Sequence, residues 1–253
     1  MTRPLIGTSW KMNLTPTEAA RWFEAAVPDL ARLDDRDLFV LPPFPSIPTA
    51  RAALEGTSIG WGAQDVHTDD RGAHTGDVSA PMLADLGCRY VEVGHSERRR
   101  DHREGDRLIA AKVAAIRRWN MTPVLCVGEP TRRPLDAAVR VVQRELRGAL
   151  GALDPGELDQ VVVAYEPVWA IGVGAQAAPI DHIDAMHAAV RAWLARRGAT
   201  TTRVIYGGSV DPGNAASIAR LEHVDGLFVG RSALDPAVFV RIAGVSVGER
   251  RDP

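Results

Sequence analysis

The chain has 253 residues, of which 45% are hydrophobic, and this length and composition are enough for one large buried core. Its formal net charge of -2 argues against a broad basic surface for nucleic acid, and no apolar run approaches the roughly 18 residues needed to cross a bilayer. The amino terminus enters an apolar strand without the long hydrophobic stretch of a signal peptide. We therefore expect a cytoplasmic protein that binds neither nucleic acid nor membrane.

Short apolar runs alternate with amphipathic stretches at intervals of roughly thirty residues, which is typical of repeated βα units. The predicted strands are Leu5 to Thr8, Leu38 to Leu41, Ile59 to Gly62, Tyr90 to Val93, Val124 to Val127, Val161 to Tyr165, Arg203 to Tyr206 and Gly226 to Val229. Among the helices, one is predicted from Thr17 to Ala26 with Thr15 as its cap, and another from Asp181 to Arg196.

Eight such units predict an α/β protein with a single (β/α)8 barrel over residues 1–253. A doubly wound open sheet is the alternative. It would separate the first and last strands, whereas polar and glycine-rich clusters here follow strands one, four, six, seven and eight. Closure of the barrel would bring these clusters together at the carboxyl ends of the strands.

Lys11, just beyond the first predicted strand, is the first functional candidate. The chain has only two lysines, Lys11 and Lys112, and arginine supplies its other basic residues. Where arginine is the general positive charge, a retained lysine suggests that a compact ammonium group is needed. The alternative is a surface lysine retained by chance, as we expect for Lys112 in the middle of a helix.

His95 follows the fourth predicted strand and stands at the start of a helical turn. The partial positive charge of a helix amino terminus disfavours an imidazolium, so a neutral ring that donates a hydrogen bond is expected. A histidine that only caps the helix is the alternative. Glu97 is expected to orient or pair with Lys11, and Arg98 and Arg99 are expected to form ion pairs.

Glu166 ends the sixth predicted strand and is followed by Pro167, Gly172 and Gly174. The strand would fix the carboxylate, the proline would stop sheet pairing, and the glycines would let the far end of the loop move. This pattern is typical of a general base beneath a mobile lid. A glutamate that merely terminates a strand is the alternative.

Glycines after the last two strands indicate an anion site. Gly207, Gly208 and Ser209 follow strand seven, and Gly230 and Arg231 follow strand eight. Backbone N–H groups in such turns can converge on phosphate oxygens, and barrels commonly hold phosphate at this position. Tight turns without a ligand are the alternative.

Cysteines and the remaining histidines suggest no metal site. Cys88 and Cys126 form no disulfide framework or zinc-ligand spacing and are expected to be small buried core residues. His182 and His187 are five residues apart on a predicted helix, which is a poor spacing for one metal ion, and we expect them on its solvated face.

These segments together resemble the triosephosphate isomerase family over nearly the whole chain. The motifs that match, in the family's order, are Trp10-Lys11-Met12-Asn13, Gly94-His95-Ser96-Glu97-Arg98-Arg99, Cys126-Val127-Gly128-Glu129, Ala164 to Gly172, Tyr206 to Val210 and Asp225 to Gly230. Six matches in order strengthen the joint case for Lys11, His95 and Glu166 beyond what each segment supports alone.

The resemblance implies an isomerase that moves a carbonyl between adjacent carbons of a short phosphorylated sugar through an enediolate. Glu166 would remove the carbon-bound proton, His95 would pass protons between the oxygens, and Lys11 would stabilise the enediolate charge. The phosphate would be held by the Gly172 amide together with Ser209 and Gly230. No metal or organic cofactor would be needed.

The resemblance also implies a homodimer. The segment Gly62 to Asp65, together with Gly72 to Asp77, resembles the family's long third loop, which inserts into the neighbouring subunit. Thr75 would then contact the partner's catalytic site. A self-packed surface loop is the alternative.

Departures from the family pattern bear on the substrate. Ser9 stands where asparagine is usual, Arg231 replaces a glycine, and Val173 and Ala175 replace threonine and lysine in the lid. The short Ser9 side chain would open space for an added hydroxymethyl group. Arg231 would contact the phosphate or point into solvent, and both readings stay open.

The combination of Gly7-Thr8-Ser9-Trp10-Lys11-Met12-Asn13 with Gly230-Arg231-Ser232-Ala233 looks like a branch of the family that interconverts L-erythrulose 1-phosphate and D-erythrulose 4-phosphate in tetritol breakdown. We therefore expect that substrate pair. Ordinary triosephosphate isomerase activity on dihydroxyacetone phosphate and D-glyceraldehyde 3-phosphate is the alternative. A third possibility is a catalytically silent dimeric barrel that acts as a binding protein.

Overall fold

Eight parallel strands close into a barrel in the computed structural model, which describes residues 3–172 and 177–246. The strands are β1 (Leu5–Ser9), β2 (Asp37–Leu41), β3 (Gly60–Ala63), β4 (Tyr90–Val93), β5 (Thr122–Val127), β6 (Val162–Tyr165), β7 (Arg203–Tyr206) and β8 (Gly226–Val229). Each strand pairs with the next one along the chain, and β8 pairs with β1. The predicted barrel is confirmed, and the predicted strand bounds differ from the observed ones by at most two residues.

Helices connect the strands. Within the described ranges they are α1 (Pro16–Leu30), α2 (Ile47–Leu54), α3 (Ala80–Asp85), α4 (Ser96–Asp101), α5 (Asp106–Arg118), α6 (Leu135–Leu150), α7 (Pro155–Leu158), α8 (Ile180–Ala195), α9 (Ala215–Ala219) and α10 (Pro236–Ala243). The expectations for Val173, Gly174 and Ala175 lie outside the described residues.

Two apolar layers hold the barrel. The larger one lies between strands and helices, as in other parallel barrels, and includes the Trp10 and Trp22 rings, whose centroids are 4.9 Å apart. The smaller one fills the barrel interior and consists of Leu5, Phe39, Leu41, Val124, Cys126, Val162, Ala164, Ile205 and Phe228. Because side chains plug the barrel, ligands can approach only from its ends.

Thr15 begins α1 as predicted. Its side chain accepts a hydrogen bond from the Glu18 backbone, and the Glu18 carboxylate in turn accepts one from the Thr15 backbone at 2.8 Å. This reciprocal pair satisfies amide groups that the first helical turn leaves free. The helix then runs four residues further than predicted, to Leu30.

The prediction that His182 and His187 lie on the solvated face of α8 is wrong. His187 is fully buried, and its ring lies 5.7 Å from the Tyr165 ring and 6.2 Å from the Tyr206 ring. Burial lowers the pKa of His187 to about 3, so the ring is neutral. His182 is half-buried, and its Nε2 lies 3.1 Å from the Tyr165 hydroxyl.

Lys112 is not a surface lysine, contrary to the expectation above. It is buried on α5, and its Nζ lies 2.6 Å from both Asp65 and Glu104. Arg98 on α4 also pairs with Asp65, at 2.7 Å. These four residues, which we call the Lys112 network, join the loop after β3 to α4 and α5.

Both cysteines are buried and unpaired, as predicted. Over residues 3–172 and 177–246, helices that combine enough length and apolar character to cross a membrane are absent.

Candidate active site

A cavity of about 760 Å³ opens at the carboxyl ends of the strands, within the size range typical of small-molecule sites. The predicted site residues that line it are Ser9, Lys11, His95, Glu97, Glu166, Gly172, Ser209, Gly230 and Arg231. They come from segments that follow β1, β4, β6, β7 and β8. Closure of the barrel therefore brings together residues that are distant along the chain, while Thr75 lies elsewhere, on an exposed loop.

Lys11 places a positive charge on the cavity wall. Its backbone has a φ of 53°, in the left-handed region that residues other than glycine seldom adopt. Its Nζ lies 2.6 Å from Glu97 Oε1, which is the pairing predicted from the sequence. Partial burial opposes ionisation of Glu97, but Lys11 and the other nearby basic side chains together outweigh this and hold the pKa of Glu97 below its ordinary value. Glu97 is therefore ionised at neutral pH and engaged by Lys11.

His95 is the N-cap residue of α4 and is nearly buried. Its Nδ1 accepts a hydrogen bond from the Glu97 backbone at 3.2 Å, so Nδ1 carries no proton and the ring is neutral. The proton belongs to Nε2, which lies 3.5 Å from Glu166 Oε2. The capping role and the catalytic role expected for His95 are thus compatible, because each uses a different ring nitrogen.

Glu166 directly follows β6 and is 4% exposed. Among the described residues, no hydrogen-bond donor satisfies its Oε2 atom. Burial raises the pKa of Glu166 to about 7, and the nearby Glu92 carboxylate adds to the rise. A carboxylate poised near neutral pH and free of strong partners is suited to accept a proton from a ligand.

The acid limb of the activity profile should report this pKa. The protonated form of Glu166 cannot accept a proton, so kcat/KM is expected to fall about tenfold per pH unit below about pH 7 and to level off above it. The substrate phosphate titrates near pH 6 and would distort the profile. A difference infrared titration of the free enzyme, with Glu166→Gln as the reference, separates the two; a carboxylate band that titrates near pH 4 would contradict the prediction.

Two glycines make room for Glu166. A Cβ at Gly128 would lie 1.8 Å from the Glu166 carbonyl oxygen, and a Cβ at Gly207 would lie 2.8 Å from Glu166 Oε1. Gly207, predicted only as part of the phosphate turn, therefore also shapes the space around the carboxylate.

Gly207→Ala is expected to lower kcat by about 100-fold, because displacing a catalytic group by about 1 Å can cost this much. The fold should persist, since the clash is with a side chain that can move. The measurement is kcat together with the melting temperature. Gly156→Ala is the control, because its Cβ would meet only Asp154 at 3.5 Å. Equal kcat values for the two variants would show that Gly207 does not position Glu166.

The segment after Glu166 is anchored at its beginning by Glu129. This fully buried carboxylate accepts hydrogen bonds from Trp169 Nε1 at 2.7 Å and from the Tyr165 hydroxyl at 3.1 Å. Farther along, Gly172 has a φ of 121°, a conformation that favours glycine. The described part of the predicted lid therefore begins at a fixed point and reaches a glycine that permits an unusual backbone turn.

The predicted phosphate contacts belong to the segments after β6, β7 and β8, which we call the glycine-rich end of the cavity. The Ser209 hydroxyl donates to the Ala170 carbonyl at 2.6 Å and is thus engaged by the segment that follows Glu166. Gly230 precedes a short 3₁₀ turn, Arg231–Leu234. The Arg231 side chain is exposed and lines the cavity, so its charge is available to an anion and to solvent alike.

Sequence reasoning missed Glu92 and Glu129. Glu92 on β4 is 2% exposed, lines the cavity, and accepts a hydrogen bond from Ser9 Oγ at 2.7 Å. An acidic residue between Val91 and Val93 in an apolar strand was a usable signal. Glu129 stood in the family motif Cys126 to Glu129, but the motif did not indicate its partners, which come from segments that are distant along the chain.

Ligand atoms of Glu92, Cys126 and Glu166 lie within 4.8 Å of one another, a separation that a metal ion could bridge. Burial, aided by the two carboxylates, raises the pKa of the Cys126 thiol well above its ordinary value. A thiol binds a metal ion as the thiolate, and Cys126 stays protonated. The cluster of Glu92, Cys126 and Glu166 is therefore poorly suited to bind a metal ion. His67, His74 and Asp77 form a second such group, on the loop after β3.

Comparisons with known proteins agree with this geometry. The triosephosphate isomerase profile matches residues 4–246. The triosephosphate isomerase of Thermus thermophilus is 46% identical over 252 residues, covering 96% of this chain and 100% of that protein. The one from a Roseiflexus species is 42% identical, covering 96% and 97%. The crystal structure of triosephosphate isomerase from Bartonella henselae has a TM-score of 0.83 at 32% identity, covering 95% of this chain and 98% of that one.

These relatives carry the general family name, so they do not support the expected tetrulose phosphate branch. The matched region runs through all eight strands and every predicted catalytic position. The chain therefore belongs to the triosephosphate isomerase family of intramolecular oxidoreductases, which isomerise sugar phosphates.

Proposed function

We propose that the chain interconverts dihydroxyacetone phosphate and D-glyceraldehyde 3-phosphate. The observation that carries the proposal is the convergence of Lys11, His95 and Glu166 on one cavity, with His95 Nε2 only 3.5 Å from Glu166 Oε2. The names of the relatives favour the triose substrate over a longer one.

In this mechanism, the Glu166 carboxylate removes a proton from the carbon next to the carbonyl, and the electron pair moves to the carbonyl oxygen. Neutral His95 donates from Nε2 to the substrate oxygens and transfers protons between them. The Lys11 ammonium stabilises the negative charge of the enediolate. Return of the proton to the neighbouring carbon completes the reaction, so no external oxidant or reductant is required.

The phosphate is placed at the glycine-rich end of the cavity. Backbone N–H groups of Gly172 and Gly230 can donate to its oxygens, and the Ser209 hydroxyl can join them after leaving the Ala170 carbonyl. Arg231, which is exposed at the rim, supplies a positive charge that favours a dianion.

The direct test is a coupled assay of the purified protein with triose phosphates, compared with the erythrulose phosphates. We expect the higher kcat/KM for the triose, and loss of turnover in Glu166→Gln. A protein that isomerises neither substrate, although it folds, would refute the proposal and favour the silent binding protein.

Isomerisation of L-erythrulose 1-phosphate and D-erythrulose 4-phosphate is the second candidate. One feature favours it: Ser9 replaces the asparagine usual in the family, and its hydroxyl donates a hydrogen bond to Glu92. We call the part of the cavity lining that Ser9 and Glu92 form the cavity floor. The floor is therefore roomier than an asparagine would leave it, and it keeps a hydroxyl group. The same assay decides between the candidates, because a higher kcat/KM for the tetrulose would favour this one.

We further propose that the chain forms a homodimer through the loop that carries Thr75. Residues 71–77 of this loop are all exposed, and so is 95% of the Met12 side chain, next to Lys11. The resemblance of this loop to the family's third loop supports the proposal, and Met12 supplies an exposed apolar side chain that a partner could cover. Lys11 would then lie close to the subunit boundary.

Thr75→Arg is expected to weaken the dimer, because it would bury a long charged side chain at the contact. Analytical ultracentrifugation should give a two-chain mass for the parent protein and a mostly single-chain mass for the variant. Thr200→Arg, on an exposed turn between α8 and β7, is the matched control. A single-chain mass for the parent protein would refute the dimer.

A further inference from the structure

We propose that Glu92 and Ser9 form a hydroxyl-binding subsite on the floor of the cavity, which accepts ketose phosphates one carbon longer than a triose. The inference rests on the proposed isomerase chemistry, and it names the residues that would bind the additional hydroxyl group of the second candidate substrate.

Glu92 is a buried carboxylate in an apolar setting. It projects from β4 into the barrel interior, where Cys126 of the interior layer contacts it. Within residues 3–172 and 177–246, its side-chain hydrogen bonds are to Ser9 and Cys126, and arginine, lysine and histidine are absent from ion-pair distance. An acid without a cationic partner costs stability that an apolar side chain would not. We therefore infer that Glu92 serves a function that offsets this loss of stability.

Glu92 retains capacity for a further donor. Its Oε2 accepts from Ser9 Oγ at 2.7 Å, and its Oε1 accepts only the weak Cys126 thiol at 3.5 Å. A carboxylate has about four acceptor positions. Because Glu92 lines the cavity, a ligand can reach the remaining ones.

The chemistry of the floor selects a neutral donor. Glu92 and Glu166 have carboxylate oxygens within 4.8 Å of each other, so a phosphate or another anion is repelled there. The phosphate has its own site at the glycine-rich end, near Arg231. The part of a sugar phosphate that reaches Glu92 is therefore an uncharged end that carries a hydroxyl group.

The position of the floor specifies which hydroxyl. A group bound to Glu92 lies beside Glu166, and hence beside the carbon that loses its proton. In a triose, the oxygens on the two reacting carbons are already served by His95 and Lys11. A tetrulose adds one hydroxymethyl group at this end, and Ser9 leaves the space for it. Its hydroxyl would donate to Glu92.

The test compares the ratio of the tetrulose to the triose kcat/KM among three proteins, rather than either activity alone. For the parent protein, Glu92→Gln and Glu92→Leu, kcat/KM is measured with L-erythrulose 1-phosphate and with dihydroxyacetone phosphate. Any change that Glu92 imposes on the base Glu166 affects both substrates and cancels in the ratio. We expect the tetrulose-to-triose ratio to fall about 10- to 100-fold in Glu92→Leu, which has no acceptor, and less in Glu92→Gln, which keeps one.

Glu145→Gln is the control. Glu145 is also a buried carboxylate, but it binds the Gly128 amide and lies outside the cavity lining, so its variant should keep the parent ratio. If Glu92→Leu fails to fold, the Glu92→Gln ratio alone decides.

An unchanged ratio in the Glu92 variants would overturn the subsite. So would a parent protein that isomerises the triose but not the tetrulose, and in that case the proposed triose function would stand. A parent protein inactive on both substrates would overturn the proposed function as well.

Discussion

Glu166→Gln is expected to lower kcat about 10³-fold with little change in KM, which would make it one of the two largest effects in this protein. The amide has the shape of the carboxylate but cannot accept the proton, and general base catalysis contributes roughly 10²- to 10⁴-fold. The measurements are kcat and the exchange of the substrate's carbon-bound hydrogen with solvent. Both should be lost together, because they depend on the same proton transfer.

Glu145→Gln provides the comparison for this variant. Burial raises the pKa of Glu145 also, although the nearby Arg99 opposes the rise. The two positions therefore share burial and raised proton affinity, and only Glu166 faces the cavity. We expect Glu145→Gln to change kcat by less than about threefold, since its amide oxygen can still accept from Gly128. Similar losses in both variants would mean that lost stability, rather than a lost base, explains the Glu166 result.

Lys11→Met is expected to lower kcat by about 10²- to 10³-fold, the loss typical of removing one group that stabilises an oxyanion. The change also frees Glu97 from its 2.6 Å ion pair and leaves an acid facing the enediolate. Both consequences oppose the development of negative charge on the substrate. The melting temperature should change little, because the pair is partly exposed.

Lys11→Arg tests why this position is a lysine in an arginine-rich chain. It keeps the charge but spreads it over a planar group, so we expect an intermediate loss of kcat. Full activity in Lys11→Arg would contradict the need for a compact ammonium group. Full activity in Lys11→Met would contradict the role of the charge itself.

The barrel could be predicted from the sequence because its signals are local. Each strand is a short apolar run, and the start of α1 is indicated by Thr15 together with the adjacent Pro16 and Glu18. The convergence of the residues that we propose as catalytic was predictable for a related reason. Lys11 and His95 lie two residues after a strand and Glu166 lies one residue after a strand, and in a closed parallel barrel all such positions meet at one rim.

Residues whose role depends on a distant partner were not predictable. Lys112 pairs with Asp65, 47 residues away, and His187 is buried by tyrosines of two different strands. An acid in the apolar strand marked Glu92 as unusual, but its contacts were not predictable, because strands covered on both faces lack the alternation that would show which side chains face inward. Local patterns gave no information on these contacts.

The substrate is the point at which local patterns mislead most easily. Ser9 and the segment Gly230 to Ala233 suggested a longer sugar, while the full-length relatives bear the name of the triose enzyme. The structure supplies what the sequence lacked, namely the partner of Ser9. Whether the Ser9–Glu92 pair receives a hydroxyl is now a question about one ratio of rate constants.

The Lys112 network couples two regions that otherwise seem independent. Asp65 lies at the beginning of the loop that carries Thr75. Its partner Arg98 lies in the first turn of α4, the helix that His95 caps. A displacement of Asp65 would therefore act, through Arg98, on the helix that His95 caps. In the proposed dimer, dilution below the dissociation constant should therefore lower the specific activity of each chain.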